Sequence, residues 1–309
     1  MAGASGAIGG SLVPALVEAG HEVVAMTRTP GKEAGLRAAG AQPVVADALD
    51  AAAVRDAVVR AEPEVVIHQL TAIPQRLNIR RPERDFATTN RLRTEGTDNL
   101  LAAARAAGAR RFIAQSFFGW RLSRASGTAL SEDDPLDPEL PQRLRPIFDA
   151  MRHLETAVAG AEDLGSTVLR YGGFYGPGTN IAPNGAMVED LRKRRFPLVG
   201  DAGGVWSFIH IDDAARATVA ALDRDVPGIF NVVDDDPAPI REWLPELALL
   251  VGAKPPRRVP AWLARLAVGE HAVAIMTSSK GASNAKARRD LGWTPEHASW
   301  REGFRAVLS

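Results

Sequence analysis

Gly3-Ala4-Ser5-Gly6-Ala7-Ile8-Gly9 spaces its glycines as GxxGxxG and runs into an apolar stretch that ends near Ala19. Glycines at that spacing let the backbone turn tightly and approach an anion, which then rests on the free amides of a helix N-terminus. The anion that suits this geometry is the pyrophosphate of a dinucleotide, held by Gly3, Ser5, Gly6, Ala7, Ile8 and Gly9. A glycine-rich turn alone is weak evidence; the helix, the strand and the later motifs that follow are what favour binding over an ordinary loop. Further on the chain reads Thr27-Arg28-Thr29 after a strand-like run. An acid there would hold the ribose 2′-hydroxyl of NAD, whereas Arg28 can pair with the 2′-phosphate of NADP. NADP(H) is therefore the preferred cofactor, with NAD(H) left open and a plain surface arginine as the alternative. Asp47 suits the adenine amino group or, equally, a helix N-cap. Ala48, Leu70, Thr71, Tyr171, Gly173 and Phe174 are assigned to the cofactor as well.

The elements that must position these residues alternate. Apolar runs at Val23–Met26, Pro43–Ala46, Val65–His68 and Arg111–Ala114 read as buried strands, separated by Ala/Leu/Arg-rich stretches with helical spacing. That alternation predicts an α/β fold with a doubly wound parallel sheet. Gly20, Gly40 and Gly108 each follow a helical run and precede a strand, where a left-handed cap belongs. The acidic, Pro-rich stretch 121–146 reads as a lid or surface loop. Residues 1–170 with 205–227 are expected to form the dinucleotide-binding domain. Residues 171–204 and 228–309 are expected to form a smaller C-terminal α/β substrate lobe.

Only Met1 and Ala2 precede the glycine loop, so the first strand is expected to be short or missing. That strand is central in such a sheet, and its neighbours would carry unpaired backbone groups without it. Either the true start lies upstream of Met1 or the chain tolerates a gap.

Composition narrows the chemistry. The 309 residues carry 37 basic and 37 acidic side chains, so no net charge draws the protein to nucleic acid or an anionic membrane. The chain has no cysteine, which excludes disulfides, thiolate metal sites and a cysteine nucleophile. Its six histidines include no pair at i, i+4 with a carboxylate, so no metal site is expected. No run of about 18 apolar residues and no secretory leader pattern stands out. A cytoplasmic enzyme acting on a small molecule is the default reading.

Later segments resemble the extended short-chain dehydrogenase/reductases, the family of sugar-nucleotide epimerases and dehydratases. Besides the glycine loop these are Val65–His68, Asn90 with Gly96-Thr97 and Asn99, and Leu169-Arg170 with Tyr175-Gly176-Pro177-Gly178. Phe208 to Ala214, Phe230-Asn231-Val232 and Leu291-Gly292-Trp293-Thr294-Pro295 complete the set. They stand in the family's order and span nearly the whole chain. The resemblance implies a Rossmann-like domain, a C-terminal substrate lobe, an NAD(P) cofactor and a homodimer through helices around Thr94–Ala107 and Ile147–Ala161.

It also implies a Ser, Tyr and Lys acting together, with Tyr moving a proton while nicotinamide carries hydride. This chain departs there. Its two tyrosines, Tyr171 and Tyr175, both lie past the helix that should carry YxxxK. Aligned on Glu155, the Tyr position is Ile147 and the Lys position Met151; shifted by one, they are Phe148 and Arg152. Ser116 matches the first of a usual serine pair and Phe117 the second. The catalytic candidates are therefore Ser116, Arg152, His153 and Tyr175, each weighed against a cap, a solvated pair or a structural ring. Trp206 stands where nucleotide-sugar enzymes commonly carry a diphosphate-clamping Arg. With Phe117, Phe118 and Trp120 it suggests a flat or apolar substrate, although each of these alone is better explained by packing. The leading expectation is an atypical NADP(H)-dependent oxidoreductase acting on a small hydrophobic carbonyl or alcohol. A non-redox dehydratase, cyclase or isomerase, and a redox-dead dinucleotide sensor, remain as rivals.

Overall fold

The computed structural model describes residues 1–123, 125–127, 129–135 and 137–309. Its centre is a parallel sheet. The strands are β1 (Val24–Thr27), β2 (Gln42–Val45), β3 (Val65–His68), β4 (Arg111–Phe117), β5 (Gly165–Tyr171) and β6 (Gly228–Val232). β2 pairs with β1, and β3, β4, β5 and β6 follow one another in that order. These runs are rich in Val, Ile and Phe because helices cover both faces, so no alternation with polar residues is needed. β6, assigned from sequence to the substrate lobe, is hydrogen-bonded to β5 through the register Gly228 to Thr167 and Val232 to Tyr171.

Two residues join the halves of the sheet. The Met26 amide donates to the Met1 carbonyl at 2.8 Å, the Ala2 amide to Ile67 at 2.8 Å, and the Gln69 amide to Ala2 at 2.9 Å. Met1 and Ala2 thus occupy the carboxyl end of a strand position between β1 and β3, as the expected short first strand. Beside them lies a cavity of about 900 Å³ lined by Val24, Val65, Val66, Leu100 and Leu222. The chain leaves this position toward β1 and β2, then returns to β3 on the other side. That reversal opens a crevice at the carboxyl ends of the strands, where open α/β sheets bind ligands.

On one face α1 (Ala7–Glu18) packs against α6 (Ile211–Arg224) over Ile67, Ile113 and Phe230. On the other, α2 (Ala51–Ala61), α4 (Glu95–Ala106) and α5 (Arg145–Ala159) cover Val66, Phe112 and Val168. α3 (Ala87–Arg93) runs into α4 and packs on α5. Gly20, Gly40 and Gly108 have φ of +89°, +87° and +70°, the left-handed caps read from sequence. Stretch 121–146 is largely irregular among its described residues, with one short strand at Ala129–Leu130. A second core holds the C-terminal part together around Phe208, Trp243, Trp300 and Phe304, all buried. No helix among the described residues is long and apolar enough to cross a membrane.

Candidate active site

The glycine loop is built for close approach. Gly3 has φ +88°, and a Cβ there would stand 2.5 Å from the Gln69 carbonyl oxygen. A Cβ on Gly9 would stand 2.0 Å from the Ala4 carbonyl oxygen, so Gly9 lets α1 pack onto the loop. The N-cap of α1 is Gly6, and no side chain caps the helix. Its first amides therefore face the crevice without a protein acceptor, which fits a pyrophosphate.

A cleft of about 550 Å³ opens over this loop. Gly3, Ser5, Gly6, Ala7, Ile8, Arg28, Asp47, Ala48, Leu70, Thr71, Tyr171, Gly173 and Phe174 all line it, as do Ser116, Phe117, Trp120 and Trp206. Exposed Arg28 sits at the end of β1, where the Ser5 and Thr27 hydroxyls lie 3.2 Å apart. Asp47 Oδ1 accepts from the Leu49 amide at 3.0 Å, while the N-cap of α2 is Asp50. Asn99 donates to the Ala48 carbonyl at 2.9 Å and fixes that edge.

The remaining candidates lie elsewhere. Arg152 is exposed and paired with Asp149 at 3.0 Å. His153 is exposed, with Nε2 2.9 Å from Asp98. Both sit on the outward face of α5, away from the cleft. Tyr175 is fully buried against Phe304 and His210, and its hydroxyl has no partner. Burial, together with the charges of Asp234 and Asp213, drives its pKa far up. Phe118 is buried in a small cluster with Leu130, Val233 and Ala282, and it is not among the residues that line the cleft.

Ser116 donates to Glu155 Oε1 at 2.6 Å. Glu155 also takes Arg121 Nη2 at 3.1 Å and both Nε and Nη2 of Arg170, at 3.0 and 2.7 Å. Burial alone would raise the Glu155 pKa, but the Arg170 hydrogen bonds and the charges of Arg121 and Arg170 outweigh it, so it falls below the usual carboxylate range. The Ser116 proton is thereby committed to a carboxylate. Tyr171 lines the cleft, and its buried hydroxyl meets Thr218 at 2.7 Å and receives Gln69 Nε2 at 3.2 Å. Burial pushes it up to about 12. No lysine lines the cleft among the described residues.

Instead the wall is apolar. Phe86, Phe117, Trp120 and Trp206 line it, and Ile147, Phe148 and Met151 of α5 lie buried in the cluster against which they pack. Trp120 meets Phe86 edge-on at 5.6 Å and Phe117 at 5.9 Å, from a left-handed backbone position at φ +62°. Holding a large side chain at such an angle costs energy that surrounding packing must offset, a pattern found at ligand sites.

Three polar groups in the cleft escaped sequence reasoning. Gln69 and Gln115 each present a buried side-chain oxygen without a partner. Arg93 is 2% exposed, lines the cleft, and has a buried Nη1 without a partner. A signal for Arg93 existed: Thr89, Gly96, Thr97 and Leu100 lie four before and three, four and seven after it, on the inward stripe of a helical run. An arginine on that stripe is a buried charge.

A parallel sheet with a glycine loop at its reversal point defines a dinucleotide-binding α/β protein. The pattern of the NAD dependent epimerase/dehydratase family matches residues 1–232. The chain belongs to that family, and it is an NAD(P)-dependent oxidoreductase or epimerase/dehydratase-like enzyme. It is 46% identical over 305 residues to the 3-diazoavenalumate denitrifying reductase of a Streptomyces species, covering 98% of each chain. It is 27% identical to the 2-alkyl-3-oxoalkanoate reductase of Stenotrophomonas maltophilia, over 81% of this chain and 74% of that one. Among solved structures, the UDP-glucose 4-epimerase of Thermus thermophilus in complex with NAD superposes with a TM-score of 0.75 at 24% identity, covering 99% of this chain and 96% of that one.

Proposed function

We propose that this protein is a reductase that delivers hydride from NADPH to a flat, apolar-bodied small molecule, with no tyrosine or lysine acting as proton donor. The observation that carries this is the cleft wall. Phe86, Phe117, Trp120 and Trp206 line it as one apolar surface backed by buried Ile147 and Met151, and Tyr171, the tyrosine that lines it, has its hydroxyl bonded within the protein. A bound reduced nicotinamide supplies the hydride. The chain's own residues would stack the acceptor on the tryptophans, exclude water and hold the two partners together, which alone lowers a barrier substantially. Trp206 in place of a guanidinium gives no grip on the diphosphate of a nucleotide sugar.

The acceptor class to test first is a diazo-substituted carboxylate, following the name of the relative that shares 46% identity. When hydride replaces a diazonium group, a C–H bond forms, the C–N bond breaks, and dinitrogen leaves with the bonding pair. Charge balances without any proton, so an apolar wall suffices. A ketone acceptor is the second reading. It is favoured by the name of the 2-alkyl-3-oxoalkanoate reductase, but it needs a proton for the new alkoxide, and Ser116 already gives its proton to Glu155.

The test is to offer 4-carboxybenzenediazonium, and separately a 3-oxoalkanoate, with NADPH or NADH, while following nicotinamide oxidation and dinitrogen release. The expected outcome is one dinitrogen per NADPH, with deuterium from the labelled C4 of NADPH appearing on the ring. Turnover without net nicotinamide oxidation would point to non-redox chemistry, and nucleotide binding without turnover of any acceptor to a sensor. For the cofactor, Arg28→Ala should weaken NADPH about tenfold or more and leave NADH unchanged, the size of one charge-assisted bond to phosphate. We also propose a division into a nucleotide domain and a substrate lobe, and a homodimer through α4 and α5, which sedimentation would check.

A further inference from the structure

We propose that Arg93 is the anion receptor of the cleft and pairs with a carboxylate of the bound substrate. The proposal rests on the reading of this cleft as the substrate site. Arg93 ends α3 and is buried, near enough to His68 of β3 and Glu155 of α5 to interact with them electrostatically. It lines the same cleft as Ser116, Phe117 and Trp120. Among the described residues it makes no side-chain hydrogen bond and no ion pair, and its Nη1 is buried without a partner.

The charge count beneath the cleft shows what is wanting. Glu155 is the acid whose charge reaches Arg93, yet its oxygens already serve Arg121, Arg170 and Ser116. Three buried guanidinium groups thus share one carboxylate. His68 cannot help, because burial, together with the nearby Arg93 charge, lowers its pKa to about 4, so it is neutral. Burial brings Arg93 only to about 10, so it stays charged at neutral pH. A buried charge without a partner is costly, and the cost falls when an anion enters with matching geometry. A guanidinium presents donors in a fork that fits a carboxylate. The aromatic wall beside it fits a flat ring, so the ligand that satisfies both is an aromatic carboxylate. An oxyanion of the cofactor is the other source of the same chemistry. The pyrophosphate has its own seat at the Gly3–Ile8 loop, and the experiment separates the two.

The experiment is calorimetric titration of cinnamate, and of cinnamyl alcohol as its neutral counterpart, into protein saturated with NADP⁺. It is repeated for Arg93→Met and Arg93→Lys, with NADP⁺ affinity measured for each. The wild type should bind cinnamate about tenfold or more tighter than the alcohol, the size of a charge-assisted hydrogen bond. Arg93→Met should abolish that preference and leave NADP⁺ affinity within about twofold, while Arg93→Lys keeps part of it. Equal affinity of the wild type for acid and alcohol, or binding of neither, overturns the proposal. So does a preference that survives in Arg93→Met, and so does a loss of NADP⁺ affinity without a loss of the preference. Should Arg93→Met fail to fold, the wild-type comparison and Arg93→Lys decide. Cinnamate is bound, not turned over, so the answer stands whether or not any diazo compound or ketone proves to be reduced.

Discussion

His68 is a buried titration probe next to the cleft residue Gln69, and it should make the protein acid-sensitive well above the range where carboxylates protonate. The ring is fully buried, with Nε2 3.1 Å from the Thr97 hydroxyl and Nδ1 accepting from the Leu70 amide at 3.2 Å. Burial lowers its pKa from 6.5 to about 4. The unfolded chain therefore binds a proton that the folded one refuses between those values, and stability must fall as the pH drops through that window. The shift corresponds to about 3 kcal/mol in full, of which about 2 kcal/mol is lost by pH 5. The stabilisation is fully present above about pH 6.5. Urea unfolding followed by tryptophan fluorescence at pH 7.5, 6 and 5 measures it, with His68→Gln as the reference. The variant keeps an amide for Thr97 but cannot titrate. It should be less stable at pH 7.5, yet its loss between pH 7.5 and 5 should be about 2 kcal/mol smaller than the wild type's. His210, also lowered by burial, is present in both proteins and cancels. Equal losses in the two proteins would refute the assignment of a neutral, proton-refusing His68.

Glu155→Gln leaves Arg121 and Arg170 buried without their counter-charge, and should cost about 3–5 kcal/mol in urea unfolding at neutral pH. Ser116→Ala removes only one of the hydrogen bonds to Glu155 and should cost about 1–2 kcal/mol. Should Ser116 instead carry the chemistry, hydride transfer would collapse in a protein that still binds NADPH. Gly9→Ala pushes a methyl into the Ala4 carbonyl and should abolish nucleotide binding by displacing the loop, read as loss of calorimetric heat with NADPH. Arg152→Ala and His153→Ala sit on exposed ion pairs and should change both stability and NADPH binding by less than about 1 kcal/mol.

The parts of this protein that were legible in sequence are those set by local rules. β3 spans Val65–His68 as the apolar run indicates, and the left-handed glycines fall where helices hand over to strands. The glycine loop announces itself because close backbone approach admits no other residue at Gly3 and Gly9. What depended on distant partners stayed hidden. β6 joins the main sheet through pairing with a strand some sixty residues away, and no periodicity records such a pairing. The outward placement of Arg152 and His153 follows from α5 burying Ile147, Phe148 and Met151, so the helix phase, read with both registers open, decided their fate. Phe118 and Tyr175 carried aromatic types suited to a site, but strand alternation and a sharp turn sent them to other cores. Arg93 was passed over because an arginine in a helix is usually solvated.

The proposed chemistry turns on which proton-transfer groups the cleft can offer. In both registers read from the sequence, Ile147 with Met151 or Phe148 with Arg152, the Tyr and Lys positions offer no titratable hydroxyl or ammonium. That lack would hamper an enzyme whose transition state builds negative charge on oxygen. It need not disable one whose acceptor is already positive and loses charge as hydride arrives. Such a transition state moves toward neutrality, and an apolar wall favours the less charged state over the ground state. The same wall would reject a cationic acceptor in the ground state unless a fixed counter-charge travelled with it. On the proposed reading, a carboxylate on the acceptor, held by Arg93 in the same cleft, would supply that compensation. On that proposal the apolar wall and the unpaired guanidinium would together serve a zwitterionic substrate, anchored by its anion and reduced at its cation.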